Sequence, residues 1–397
     1  RRMNSVPKPQ MPHRPESPEL LLRGGRVIDP SQGLDQVADV RFRGGVVAQI
    51  GSDLPAGAAE VRDVRGHIVA PGMIDLHTHV YWGGTAIGVD ATDLALRACT
   101  ATFVDAGTAG AANLAGFRRH VIEPARPLRI VPLLNLSFAG IFAFSKTVMV
   151  GESEDVRLLD IRSCVAAARE HADIVAGIKV RVGRHASGSM GISPLDMALE
   201  VAEELGLPLM AHLDHPPPSR LEVVSRLRPG DILTHCFRPF PNAPHWPGGG
   251  ARPEILAARE RGVIFDIGHG GGSLGFATSR AMLDAGFAPD VISSDVHVVS
   301  VDGPAYDLLH TLAQFHALGM SLPAVIACAT QNAARALRRP DLGTLKPGVG
   351  ADASIFRVVD EPTVYRDVEG QPLQGACRFE SGGLVLSGAW WTPPARQ

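Results

Sequence analysis

Five short segments carry side chains that belong together chemically: Asp75-Leu76-His77-Thr78-His79, Gly177-Ile178-Lys179-Val180-Arg181, Ala211-His212, Thr234-His235-Cys236 and Ser294-Asp295-Val296-His297. Each closes an apolar, strand-like run. His77, His79, His212, His235, Lys179 and Asp295 are the residue types that hold two divalent metal ions and an activated water. The pattern predicts a metal-dependent hydrolase, and a metal site restricts chemistry more tightly than a fold does. Lone histidines are commonly structural, and His120, His171, His310 and His316, on expected helices, are read that way. His77 and His79 differ: two residues apart on a strand, they share a face, as two ligands of one ion must.

Something has to bring these segments to one place. Between residues 71 and 343 the sequence alternates strand and helix, with expected strands at 73–77, 101–106, 130–136, 174–182, 207–212, 231–236, 263–267 and 291–294. Eight strands with intervening helices over about 270 residues match a (β/α)8 TIM barrel, whose chemistry lies at the C-terminal ends of the strands. A doubly wound sheet is the rival, and the count of eight favours the barrel. Expected helices include 194–205, with Ser193 as N-cap, Asp196 completing a capping box and Gly206 at the end, and also 253–261 and 324–338. Short strands with glycine turns fill 19–70 and return over 344–392; neither half suffices alone, so both chain ends should build one small β-sandwich domain. Residues 1–18 are rich in proline and arginine, without an apolar stretch, and read as a disordered tail or a vector-derived remnant.

Strand alternation then sorts the side chains. Over 174–182, Val175, Gly177, Lys179 and Arg181 share the face that points into the barrel. A lysine there is costly unless something uses it, the plain alternative being a carboxylate partner. His212 falls with Met210 and Asp214, and Asp295 with Ser293 and His297. Cys236, next to His235, should face outward and pack.

Bulk properties exclude several classes. With 45% hydrophobic and 20% charged residues the composition is that of an ordinary folded protein, and a net charge of −3 offers no footprint for nucleic acid or anionic lipid. No apolar run is long enough to span a membrane. Five scattered cysteines suit reduced thiols in the cytoplasm. The expected partner is a small-molecule substrate, and assembly into a homo-oligomer is compatible with everything above.

The chain resembles the amidohydrolase superfamily over nearly its whole length. Val69-Ala70-Pro71-Gly72-Met73-Ile74-Asp75-Leu76-His77-Thr78-His79 is similar to that family's first barrel strand, and residues 343–353 to its return into the β-domain. Asp105-Ala106-Gly107-Thr108-Ala109-Gly110, Gly116-Phe117-Arg118-Arg119 and Asp266-Ile267-Gly268-His269-Gly270-Gly271-Gly272-Ser273 resemble the amidohydrolase/deacetylase metallohydrolase branch. The resemblance implies that His77, His79 and Asp295 bind the more buried metal and that His212 and His235 bind the second. It implies that Lys179 is carbamylated by carbon dioxide and bridges both, with Asp295 as general acid–base. A carbamate gives each ion an anionic oxygen where an ammonium would repel them. Zinc is the default metal, and manganese, iron or cobalt would suit the same ligands.

Departures from sister patterns narrow the reaction. Tyr81 stands where dihydroorotases commonly place an arginine, and His215 where the common deaminases place a glutamate. The expectation is hydrolysis of an acyl amide or ester of a small carboxylic acid, such as an N-acyl amino acid or an O-acyl 2-hydroxy acid. Cyclic amidases of the dihydroorotase or hydantoinase type and adenine-type deaminases are the enzymic alternatives. A catalytically silent oligomeric scaffold is the non-enzymic one, although such proteins tend to lose ligands and all six are present. For a substrate carboxylate, Arg181 is the first candidate, with a salt bridge to a neighbouring carboxylate as its equal alternative. His269 could orient substrate or donate to an oxyanion, and Tyr81, Trp82 and His297 are candidate pocket walls. Pro216–Pro218 and 239–247 read as stiff rim loops.

Overall fold

Apolar strands followed by amphipathic helices place one face of each strand under a helix and the other against its counterparts, and a curled parallel sheet results. A computed structural model describes residues 19–394; the expected tail at 1–18 lies outside the described residues. The N-terminal strands are β1 (Leu20–Asp29), β2 (Leu34–Arg43), β3 (Val46–Gly51), β4 (Glu60–Asp63) and β5 (Ile68–Pro71). The barrel strands are β6 (Met73–Thr78), β7 (Thr100–Ala106), β8 (Arg129–Asn135), β9 (Gly177–Val182), β10 (Leu209–Leu213), β11 (Ile232–Leu233) and β12 (Ile264–Phe265). The chain then returns through β13 (Ala353–Val359), β14 (Thr363–Arg366), β15 (Pro372–Gly375), β16 (Arg378–Leu386) and β17 (Ala389–Trp391).

Strands β6 to β12 pair in sequence order, all parallel. The eighth expected strand makes no ladder. Residues 291–296 close the ring through two single parallel bridges, Asp266↔Val291 and Thr78↔Val296. Backbone bonds from Asp295 N to His77 O (2.7 Å) and His79 N to Val296 O (3.0 Å) reinforce that seam. The expected strand 174–182 starts only at Gly177, because His171 O holds Ile174 N and Val175 N in a turn at 3.0 Å.

Helices Ser193–Leu205 and Pro253–Arg261 lie where expected, each ended by a left-handed glycine, Gly206 and Gly262. Ser193 is not the cap of its helix, which starts from Ile192 without a side-chain cap; Asp196 instead accepts from Arg226 at 2.8 Å. The expected helix 324–338 is two helices, Leu322–Ala329 and Gln331–Ala336, broken at Thr330. The second packs Ala333, Ala334 and Ala336 against Ile74, Val104 and Val131 and plugs the barrel.

Both chain ends join one eight-stranded sheet, ordered β17-β16-β13-β5-β1-β2-β3 with β4 also on β1. A bulge between Leu22 and Gly25 bends β1, whose first half pairs with β4 and second half with β5. Leu22, Val40, Phe42, Val69 and Ile355 fill its core, and β14 with β15 form a separate ribbon. Among the described residues no helix is long and apolar enough to cross a membrane.

Candidate metal centre

Regular alternation alone would not bring these candidate ligands together. In β6, Ile74 and Leu76 already face the barrel interior with Val104, Leu133, Met210 and Ile232. Asp75 pairs with Phe103 and Thr78 with Asp105, so β6 carries one residue more than β7 across that interval. This bulge reverses the parity and turns His77 inward as well. On β11, Ile232 faces inward, which would send His235 outward, but His235 adopts a left-handed backbone (φ 60°) that swings it back. Asp295 is left-handed too (φ 48°). Aspartate and histidine are among the non-glycine residues that tolerate this region best, and such strain concentrates at functional sites. Cys236 packs in the outer shell with Phe265, as expected.

The imidazoles are oriented from behind. His235 Nδ1 donates to Gly268 O at 2.7 Å, so its Nε2 carries the lone pair. His77 Nδ1 lies 2.7 Å from Thr234 Oγ1, which donates its own proton to Asp266 Oδ2 at 2.7 Å. The Thr234 oxygen must therefore accept from His77 Nδ1–H, and His77 Nε2 also faces inward as a lone pair. His79 Nδ1 is 2.8 Å from Thr108 Oγ1. Asp295 Oδ1 sits 3.3 Å from His77 Nε2 and 3.2 Å from His79 Nε2. The ring of His235 is 5.1 Å from that of His77 and 4.5 Å from that of His212.

Burial holds His77, His79, His212 and His235 well below the usual imidazole range, so all four are neutral. Lone pairs then face a carboxylate with no proton between them, and Asp295 Oδ1 and His212 Nε2 are buried without a hydrogen-bond partner. A cation resolves this arrangement. The ligand atoms of His77, His235 and Asp295 lie within 4.8 Å of one another, a separation suited to binding an ion, and the imidazole–carboxylate set suits a divalent transition metal. Lys179 is fully buried, its Nζ 3.3 Å from His77 Nε2 and 3.4 Å from Met210 Sδ, and burial pushes it down to about 7. The carboxylate partner that would make it an ordinary ion pair is absent among the described residues.

A cavity of about 320 Å³ opens over this cluster. Arg181 and His297 line it; Tyr81 and His269 do not. Tyr81 stacks on Phe117 at 4.5 Å and its hydroxyl donates to Asn113 O at 3.3 Å, which keeps the ring in the apolar core. His269 is fully buried, with Nδ1 2.9 Å from Gly270 O, turned away by the left-handed Gly268 and Gly270 on either side. Trp82 is exposed and also outside the lining. Arg181 is already paired, Nη1 to Glu152 Oε2 at 2.9 Å. Glu152, Thr108, Thr234, Asp266 and Arg238 had escaped the sequence reading. Of these, Thr234 and Arg238 flank a ligand closely enough to have been suspected.

A plugged parallel barrel with buried neutral histidines, a carboxylate and an unpaired lysine at the strand C-termini defines a barrel metallohydrolase. No family model matches the chain. A deacetylase of Agrobacterium fabrum is 32% identical over 390 residues, 95% of this chain and 94% of that protein. The chain belongs to the amidohydrolase superfamily. It is an enzyme of the hydrolytic kind found among those relatives. A dihydroorotase of Geobacter sulfurreducens is 52% identical, but over 63 residues, 15% of each chain. Among solved structures, a dihydroorotase superposes with a TM-score of 0.86 at 30% identity, covering 95% of this chain and 99% of that one. An adenine deaminase does so at 0.85 and 26%, covering 94% and 100%.

Proposed function

We propose that this protein is a dinuclear metal hydrolase that removes an acyl group from an amide or ester of a small carboxylic acid, such as an N-acyl amino acid or O-acyl 2-hydroxy acid. The observation that carries this reading is the extent of likeness: the Agrobacterium deacetylase matches along 95% of the chain, the Geobacter dihydroorotase along 15%. His77, His79 and Asp295 would hold one ion and His212 and His235 the other, with zinc the default. When bound, such a pair lowers the pKa of a shared water and polarises a carbonyl.

Lys179 supports the bridge in carbamylated form. A buried ammonium without a carboxylate is costly. As the neutral amine, Nζ adds to the carbon of carbon dioxide, forming an N–C bond and releasing one proton, and leaves a carbamate anion suited to two cations. Asp295, whose Oδ1 has no other partner, would accept the water's proton and return it to the leaving nitrogen or oxygen. His297, which lines the cavity, stands two residues from Asp295 and would complete the pocket wall. Five free cysteines fit a cytoplasmic setting.

The test has two parts. Protein purified without chelator should hold about two equivalents of divalent metal; less than one sinks the hydrolase reading and favours a silent scaffold. Turnover should appear with acyclic N-acyl and O-acyl acids. The 30% and 26% identities to dihydroorotase and adenine deaminase structures favour cyclic amides or adenine as the second reading, and turnover confined to those would replace the first.

A further inference from the structure

Two guanidinium groups line the cavity, and they differ in charge balance. Arg181 is neutralised by the buried Glu152 and carries the Phe144 ring 5.3 Å from its Cζ. Arg238 follows His235 by one tight turn, its N bonded to His235 O at 3.1 Å. Its Nη1 donates to Gly272 O at 3.2 Å and its Nη2 to Ser273 Oγ at 2.7 Å, both uncharged acceptors. Its Nε is shielded from solvent with no partner. Among the described residues no carboxylate oxygen comes within 4.0 Å of this guanidinium.

A planar cation fixed from behind, with unspent N–H groups and no carboxylate in direct contact, is a receptor for a carboxylate. The nearby acids are committed elsewhere. Asp295 faces the histidines, and Asp214 accepts from the backbone N of His185 (3.1 Å), Ala186 (3.1 Å) and His215 (2.6 Å). Apolar Ile87, Ile141, Met149 and Val299 and the imidazoles of His185 and His215 also line the cavity, and apart from Asp214 and Asp295 the lining holds no carboxylate.

We propose that Arg238 is the anion anchor of this cavity, binding the free carboxylate of the acylated substrate, and that Arg181 is a structural pair. This rests on the acyl-hydrolase reading for the identity of the substrate, not for the existence of the anion site. The anchor makes a carboxylate a requirement: an uncharged amide or ester of the same acid would leave the guanidinium desolvated and unpaired.

The test compares N-acetyl amino acids and O-acetyl 2-hydroxy acids with their uncharged primary amides, using the metal-loaded protein, Arg238→Met, Arg238→Lys and Arg181→Met. Calorimetric binding of N-methanesulfonyl amino acids and their amides, in which a sulfonyl group replaces the acyl carbonyl to be cleaved, provides a readout independent of turnover. Arg238→Met should lower kcat/KM and affinity for the acids roughly 10- to 100-fold and for the amides under about threefold. Arg238→Lys should fall between, because it keeps the charge and loses the fork. Arg181→Met should leave the acid-to-amide ratio unchanged. Equal losses on acids and amides, or sulfonyl acids binding no tighter than sulfonyl amides, would overturn the anchor. Absent turnover with an Arg238-dependent preference for sulfonyl acids would keep the anchor and discard the acyl-hydrolase reading.

Discussion

Arg181→Met separates structure from recognition in one substitution. The Arg181 and Glu152 side chains are only 11% and 4% exposed, and Glu152 Oε1 has no hydrogen-bond partner even in the intact pair. Removing the arginine strands the carboxylate, and losing one partner of a buried pair costs about 3–5 kcal/mol. With an unfolding entropy of about 2.1 cal/mol/K per residue, a chain of 397 residues should lose roughly 4–6 °C in Tm. The loss depends on pH. Burial raises the Glu152 carboxyl above its usual range, and Arg181 opposes that rise, so the variant's carboxyl moves higher still. A raised folded-state value means the folded form keeps a proton that the unfolded form releases above about 4.3. Stability in the variant is therefore fullest at low pH and declines as pH climbs toward the folded value. Calorimetric scans at fixed rate should show a smaller gap from wild type at about pH 5 than at about pH 7.5. Arg181→Met/Glu152→Leu should recover most of it. An unchanged Tm at both pH values, or a double variant as unstable as the single one, would refute the buried-pair account.

Other substitutions test the centre itself. Lys179→Ala should lose tightly held metal and activity, with partial rescue of both by small carboxylic acids that replace the bridge; full metal content in the variant would remove the bridging role. Asp295→Asn should retain at least one ion by metal analysis while turnover falls by roughly 10²- to 10⁴-fold. Thr234→Val deletes the acceptor of His77 Nδ1–H and should weaken metal affinity by about 10- to 100-fold in chelator competition. Gly270→Ala would place a Cβ 2.3 Å from Asp295 Oδ2 at a backbone φ of 56°, so turnover should collapse while circular dichroism stays unchanged.

Periodicity in the sequence reached the architecture because burial enforces it. Six chemically matched residues at strand ends left few ways to arrange the barrel, and Lys179 and His212 sit where simple alternation puts them. His77 and His235 reach the centre for reasons that alternation lacks, a bulge in one case and a left-handed residue in the other. The ladders at β11, β12 and the eighth position are shorter than the sequence suggests, because residues such as Thr234, His235, Asp266 and Ile267 stay buried after the pairing has ended. Arg181 looked like a substrate contact since its partner lies 29 residues away in an irregular segment without a pattern of its own. Arg238 was overlooked for the converse reason: what distinguishes it is a missing partner, which only three-dimensional proximity can reveal. Tyr81 lies two residues from His79, yet chain neighbours at a strand end diverge within one or two residues, and His269 is turned aside by the left-handed glycines on either side of it.

The extra residue in β6 bears on any effort to transplant this centre. Copying His-X-His onto a regular barrel strand would preserve the pair's mutual spacing and still fail, since the apolar side chains below, here Ile74 and Leu76, would then point into the helical layer. The portable unit is the pair together with its irregularity. A single-residue deletion at that point would leave all six residues in the sequence and turn His77 and His79 away from the other four.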